Sequence, residues 1–413
     1  MLDIAATCLV ITALLAYLNH RFVRLPTTIG VMVIALGLSL AIVAFDAVGW
    51  VHSLLQYEES LLRSIEFSDV LMRGMLSLLL FAGALHVDLG ELQAQRWSVA
   101  ALALVGTLAS TLLVGGGLWL LLPILGLPLG LLHCLLFGAL ISPTDPIAVM
   151  GILKSVKAPK NLELIIAGES LFNDGVGVVI FALLLDMLMS GETPTAGGIL
   201  VLLLREGVGG LALGFALGYV LFRLLKSVDQ YQVEVLLTLA AVTGGYALAD
   251  HLHTSGPLAM VVTGLVVGNQ GRARAMSDTT WRYLDMFWEL VDEILNAVLF
   301  VLIGMEVVRI SLSGPLLVAG AAVIGVTLLA RLLSVGVPMR ILGGYFGLPR
   351  GAWRVLTWSG LRGGISVALV LSLPDGPTRD TMLTLTYCVV VFSILVQGLT
   401  IGRVLRSALR AGP

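Results

Sequence analysis

Ser142-Pro143-Thr144-Asp145-Pro146 and Gly168-Glu169-Ser170-Leu171-Phe172-Asn173-Asp174-Gly175 each place carboxylates inside a long apolar run, and these two stretches decide the fold. A carboxylate at bilayer depth costs at least ~2.5 kcal/mol, so it persists only where it has a partner or a task. Asp145, Glu169 and Asp174 stand in two such motifs, one of them flanked by helix-breaking prolines, and together they read as an ion pathway. The rest of the chain agrees. Of its 413 residues 58% are hydrophobic and 12% charged, with a mean hydropathy of +1.01. Soluble domains carry about 25% charged residues. A chain this apolar is a polytopic membrane protein. Its net charge of -2 argues against a nucleic-acid partner. Cys8, Cys134 and Cys388 lie in separate apolar segments with no Cys/His cluster, so they read as inert buried thiols. The stretch 4–18 has neither a basic leader nor a small-residue cleavage site, and predicts a retained first helix.

A span needs about 20 mostly apolar residues. Breaks at charge, proline and glycine divide the chain into 13 candidates: 4–20, 28–46, 69–88, 98–122, 129–152, 162–190, 197–226, 232–249, 255–270, 281–308, 313–342, 351–373 and 380–406. The stretch 47–68 is less apolar and predicts an amphipathic helix at the interface. Basic residues test the division. Those following odd-numbered segments include Arg21, Arg24, Lys154, Lys157, Lys160, Arg272, Arg274, Arg403 and Arg406, whereas even-numbered segments are followed only by Arg63, Arg309 and Arg379. Basic loops stay cytoplasmic, which predicts an outside N-terminus, a cytoplasmic C-terminus and an odd number of spans. Segment five is interrupted by its two prolines and segment twelve by Gly360-Leu361-Arg362-Gly363-Gly364. Irregular backbone at membrane depth needs protein or a water-filled cavity around it. Two such helices, far apart in sequence, predict an all-α inverted-repeat transporter with two crossed broken helices near the midplane.

The chemistry follows from spacing. Ser170 and Asp174, four apart, share a helix face; Glu169 and Asn173 occupy the adjacent stripe. With Asp145 and a carbonyl freed near Thr144, they offer an all-oxygen cage suited to a small hard cation. Burial favours the neutral form of a carboxylate and a bound cation favours the ionised form. One acid therefore takes a proton or a cation, and competition at that acid suffices for exchange. Asp174 is the expected competing group, with Asp145 second. Arg331 and Arg362 lie too deep to snorkel easily, so either is a candidate partner for Glu169 in a buried, structural pair. Trp281, Trp288, Glu289, Asp292, Glu293 and Asn296 in segment ten predict a helix lining an aqueous funnel or meeting a partner subunit. His251 and His253 read as a solvated loop, and His86 with Asp88 closes segment three. Glycines such as Gly115-Gly116-Gly117 and Gly209-Gly210 permit close helix packing. No cofactor is called for.

At these residues the chain resembles the bacterial NhaP-type sodium/proton antiporters, relatives of the animal sodium/hydrogen exchangers. The likeness rests on Ser142-Pro143-Thr144-Asp145-Pro146, Gly168 to Gly175, Ser255-Gly256-Pro257, Leu302-Ile303-Gly304-Met305-Glu306 and Gly360-Leu361-Arg362-Gly363. The resemblance implies exchange of cytoplasmic Na+ or Li+ for external H+ in the plasma (inner) membrane, and so a role in pH homeostasis. It implies a homodimer in which the dimerisation part (1–88 and 197–308) holds a core (98–190 and 313–406) that moves like an elevator. It also implies Na+ held by Thr144, Asp145, Ser170 and Asp174, and, from the Asn173-Asp174 pair, electroneutral 1:1 exchange. Some members add an acid from segment three, where this chain reads Leu80-Phe81-Ala82-Gly83. Many also carry a long cytoplasmic tail, whereas this sequence stops shortly after Arg410. A K+/H+ antiporter on the same scaffold is the nearest alternative. Against an ion channel stands the lack of a repeated filter motif in this sequence, and against an intramembrane hydrolase the lack of an HExxH zinc motif or a Ser/Lys or Ser/His arrangement.

Overall fold

A computed structural model describes residues 2–46, 74–156, 158–191, 196–309 and 314–410. These residues are helical nearly throughout, with no β-strand among them. The interfacial helix expected over 47–68 falls outside the described residues. Eight helices are long and apolar enough to cross a bilayer unaided: Ala6–Val23, Thr27–Phe45, Arg96–Leu125, Lys160–Ser190, Gly197–Leu225, Tyr231–Leu252, Gly314–Leu342 and Pro377–Ala408. The other expected segments also carry helix, but of a different kind. Leu76–Leu85 is short, Gly256–Val266 gives way to a π-helical turn, and Asp278–Met305 carries charge in its first half. The two interrupted segments are split into half-helices. Length and hydropathy alone therefore do not reach a count of thirteen.

Glycine sets how closely these helices approach. Gly210, Gly214 and Gly218 recur every four residues and present a bare flank to Gly256–Val266. A Cβ at Gly210 would meet Ser255 O at 2.7 Å, and one at Gly214 would meet Ala259 O at 2.6 Å. Such small-residue stripes replace the hydrophobic driving force that lipid does not supply. Gly115 lies likewise against Leu135, Gly117 against Val326 and Gly209 against Thr254, while Gly116 faces open space. Ser255 caps the N-terminus of Gly256–Val266 by accepting from Leu258 N–H, and Pro257 occupies the first turn, where its missing donor costs nothing.

The apolar interior forms two clusters. The larger joins Ile29, Phe137, Ile141, Phe300, Val355 and Val367; the smaller joins Phe81, Leu221, Val242, Met260 and Trp288. Two long helices belong to both. Lys160–Ser190 gives Ile165, Ile166 and Phe181 to the larger and Leu171 to the smaller, and Asp278–Met305 divides between Leu284 and Trp288 on one side and Leu299 to Ile303 on the other. The acidic motif of residues 168–175 thus runs along the boundary between the two clusters. The last helix, Leu399–Arg410, buries Ile401, Leu405 and Ala408 while Arg403 and Arg406 stay exposed, an i, i+4, i+7 stripe laid on Ala352–Trp358.

Candidate cation site at the crossing of two broken helices

The first half-helix, Leu131–Ile141, stops because Pro143 and Pro146 offer no N–H to continue it. Ser142 closes its end, its hydroxyl donating to Gly138 O at 2.6 Å and lying 3.2 Å from Thr111 Oγ1. Residues 143–146 are non-helical, and helix resumes at Ile147–Ser155. In the second interrupted segment, Ala352–Trp358 and Gly364–Leu371 flank Ser359 to Gly363. The backbone groups released by the breaks find partners across the crossing and on Ser393. Asp145 N–H donates to Leu361 O at 2.8 Å, Arg362 N–H donates to Ser393 Oγ at 2.8 Å, and Arg362 Nη1 donates to the carbonyls of Ser142 and Pro143, the latter at 2.9 Å. In hydrocarbon such groups must be satisfied internally, and here Leu361 O, the Arg362 guanidinium and Ser393 Oγ supply the partners.

Thr144 is fixed from three directions. Its hydroxyl lies 3.0 Å from Ser170 Oγ and accepts from Asn173 Nδ2 at 2.8 Å, while its N–H donates to Asn173 Oδ1 at 3.2 Å. Asn173 therefore grips both the backbone N–H and the side-chain hydroxyl of Thr144, a role its sequence position did not announce. Asp145 is partly buried and rests against Gly363, where a Cβ would stand 2.6 Å from Asp145 Oδ2. Asp174 is 7% exposed, and its Oδ1 has no hydrogen-bond partner among the described residues. It lies within electrostatic reach of Asp145 and Arg362. Thr144, Asp145, Ser170 and Asp174 are thus brought to one place. Among the described residues no three His, Cys, Asp or Glu side chains gather as a transition-metal site would require, so the donors here are hydroxyls and two carboxylates. The stretch Leu80 to Gly83 of segment three adds no acid: Leu80, Phe81 and Ala82 are buried apolar packing, and Gly83 sits beside Leu171.

Of the two arginines, Arg331 takes Glu169. Its Nη1 and Nη2 donate to the two carboxylate oxygens, the second at 3.0 Å, and Nη2 also donates to Leu356 O at 3.1 Å. Arg362 does not pair with Glu169, because its guanidinium is committed to the carbonyls of the broken helix.

The helix Asp278–Met305 differs in part from expectation. Glu289 and Glu293 are exposed and Asp292 is half-buried beside Asn296. Trp288, however, lines no funnel. It is fully buried, 4.7 Å from Phe81 between ring centroids, and donates through Nε1 to Thr238 Oγ1 at 3.1 Å. An indole beside an acidic turn signals water in sequence, but the i, i+4 stripe with Leu284 turns it inward. His86 Nε2 lies 3.2 Å from Asp285 Oδ1, and Asp88 caps Leu89–Ala94 by accepting from Gly90 and Glu91 N–H. His251 and His253 are exposed, and His253 ends its helix at φ 51°. Two further residues escaped sequence reading. Ser393 is a lone hydroxyl in an apolar run. Asn269 accepts from Leu89 N–H at 2.7 Å and donates to Val87 O and Leu265 O at 2.9 Å. Only its isolation among apolar neighbours marks Ser393, and nothing in the sequence marks Asn269.

Residues 10–407 match the family model described as "Sodium/hydrogen exchanger, transmembrane". The Na(+)/H(+) antiporter NhaP of Pseudomonas aeruginosa is 52% identical over 411 residues, covering 98% of this chain and 96% of that one. The Na(+)/H(+) antiporter NhaH of Halobacillus dabanensis is 36% identical over 349 residues, 83% of this chain and 84% of its own. The structure of the sodium proton antiporter MjNhaP1 from Methanocaldococcus jannaschii at pH 8 superposes with a TM-score of 0.73 at 20% identity, covering 98% of this chain and 97% of the other, and shares its fold. Matched along nearly its whole length, with its two helices broken and crossed, this chain belongs to the sodium/hydrogen exchanger family, multi-pass membrane transporters rather than enzymes.

Proposed function

We propose that this protein exchanges cytoplasmic Na+ (or Li+) for external H+, one for one, at Asp174 with Asp145, Thr144 and Ser170. The observation that carries the reading is the charge left over at the crossing. Glu169 and Arg331 cancel each other. Among the described residues Asp145 and Asp174 lie near Arg362, with Asp292 within electrostatic reach of Asp145 as well, so carboxylates outnumber the cation there, and Asp174 Oδ1 has no hydrogen-bond partner among these residues. A single proton or a single alkali cation neutralises Asp174; both together over-neutralise that acid. The carrier therefore reorients loaded with either and poorly when empty, which makes the exchange electroneutral. The relatives named above are Na+/H+ antiporters, and the likeness supports the same pair of ions here.

The two apolar clusters do not trace the division of labour, since Ile29 and Phe300 pack in the larger one with Phe137 and Val355; the division follows the resemblance to the family. The core, 98–190 and 313–406, carries the ion past a dimerising part, 1–88 and 197–308, by an elevator movement within a homodimer. The basic loops support an inner-membrane placement with the N-terminus outside and the C-terminus in the cytoplasm, where the exchange defends cytoplasmic pH.

The test is the pH dependence of Na+ affinity in proteoliposomes containing a pH-sensitive dye. Protons competing at one acid raise the apparent KM for Na+, so KM falls as pH rises, by up to about tenfold per unit while the acid is protonated. Asp174→Asn abolishes exchange while the protein still inserts and elutes as the wild type does. A KM indifferent to pH, or exchange persisting in Asp174→Asn, rules the reading out. The same vesicles given K+ separate Na+ from K+ exchange.

A further inference from the structure

Beside the crossing lies a cavity of about 10 Å3 that the proposed exchange does not use, lined by Thr327, Arg331, Gly360, Arg362 and Gln397 among apolar neighbours. Its polar walls are deeply buried: Thr327, Arg331, Arg362 and Gln397 are 5%, 6%, 2% and 4% exposed. Three of their atoms, Thr327 Oγ1, Arg331 Nε and Arg362 Nε, have no hydrogen-bond partner among the described residues. A threonine inside a helix ordinarily returns its hydroxyl to the carbonyl one turn back, but Thr327 makes no such bond. Both Nη groups of Arg331 and Nη1 of Arg362 are already engaged by Glu169, Leu356, Ser142 and Pro143. Leaving buried donors unmade is costly, and a space of roughly 10–15 Å3 with two to four polar partners is what one water requires.

We infer that this cavity holds a single buried water that accepts from Arg331 Nε and Arg362 Nε and donates to Thr327 Oγ1, and that Thr327 acts through it as a positioning residue for the cation site. A halide is disfavoured by charge, since Arg331 is cancelled by Glu169 and Arg362 faces Asp174. The consequence reaches the site through one side chain. Arg362 Nη1 holds the carbonyls of Ser142 and Pro143, immediately before Thr144 and Asp145. Securing Nε fixes the plane of that guanidinium and so the height of both carbonyls. The positioning role rests on the site proposed above; the water does not.

The experiment combines a map with kinetics. A cryo-EM map of the full chain in nanodiscs, at a resolution that shows other buried waters, is expected to contain a peak within hydrogen-bond distance of both Nε atoms. Gly360→Ala removes that peak, because its Cβ would stand 2.7 Å from Arg331 Nε. Thr327→Val keeps the shape, loses the hydroxyl, and raises the KM for Na+ about 3–10-fold, more than any loss of maximal rate, and Thr327→Ser restores it. No peak in the wild type, or a site occupied by bromide when crystals are soaked in it, overturns the water. A wild-type KM in Thr327→Val, or a defect that Ser does not rescue, overturns the positioning role. Failure of Asp174→Asn to abolish exchange would sink the site itself and leave the map result standing.

Discussion

Replacing Glu169 by glutamine is the sharpest test of what holds the core together. The pair it breaks is buried, with the side chains of Arg331 and Glu169 7% and 2% exposed, and it is bidentate. Charge-assisted bonds contribute about 1.5–3 kcal/mol each. Glutamine keeps one carbonyl acceptor but turns an NH2 toward an arginine that also only donates. The loss is therefore about 3–5 kcal/mol, the range found when one member of a buried pair is removed. Unfolding entropy scales with chain length at about 2.1 cal/mol/K per residue, so for a chain of 413 residues that loss lowers the thermal midpoint by about 3–6 °C. The assay is the fraction surviving size-exclusion chromatography after heating in one detergent, for Glu169→Gln, Arg331→Gln and the double variant. The double variant is expected to lose no more than the worse single, and the KM for Na+ of the Glu169→Gln protein that survives is expected to stay near wild type. An unchanged midpoint in Glu169→Gln, or strictly additive losses, would refute the pairing as the source of stability.

Other perturbations probe the site directly. Asn173→Ala removes both bonds to Thr144, and Na+ affinity is expected to fall about tenfold, as judged by KM in proteoliposomes. Asn173→Asp keeps an acceptor for the Thr144 N–H and adds a negative charge. Exchange should persist and become sensitive to a potential imposed with valinomycin, and indifference to voltage would count against the charge arithmetic. Gly363→Ala drives a methyl against Asp145 Oδ2 without changing charge; vesicles carrying it should lose exchange although the protein folds, and wild-type rates would mean that Asp145 has room to spare. Trp288→Phe forfeits the bond to Thr238 and part of a fully buried ring. It should cost about 1–3 kcal/mol of stability, read as a lowered midpoint, and leave KM unmoved.

Much of this architecture is legible in the order of residues. The prolines beside Asp145 and the glycines around Arg362 announce broken helices, because the backbone chemistry of those residues is local. The oxygen donors are legible for the same reason, since Ser170 and Asp174 fall on one helical face whatever surrounds them. Which arginine meets Glu169 was not legible. That choice depends on how the helix Gly314–Arg331 seats, with Gly117 allowing Val326 to come close and Gly360 leaving space for the Arg331 side chain. The inward turn of Trp288 and the grip of Asn173 on Thr144 are likewise decided by neighbours distant in sequence. Even the span count escapes length and hydropathy, because the half-helices and the charged helix Asp278–Met305 lack the long apolar run that marks an ordinary span.

The bond from Asp145 to Leu361, with Arg362 astride Ser142 and Pro143, ties two distant parts of the chain into a single knot. Neither strand of it can lengthen or slip without dragging the other. A change of cargo, whether evolved or engineered, must then come from exchanging side chains around an unaltered frame rather than from reshaping the strands. The same tie makes the carrier vulnerable in one spot: a small molecule that wedges open either strand disables both, and so arrests traffic from whichever side of the membrane it arrives.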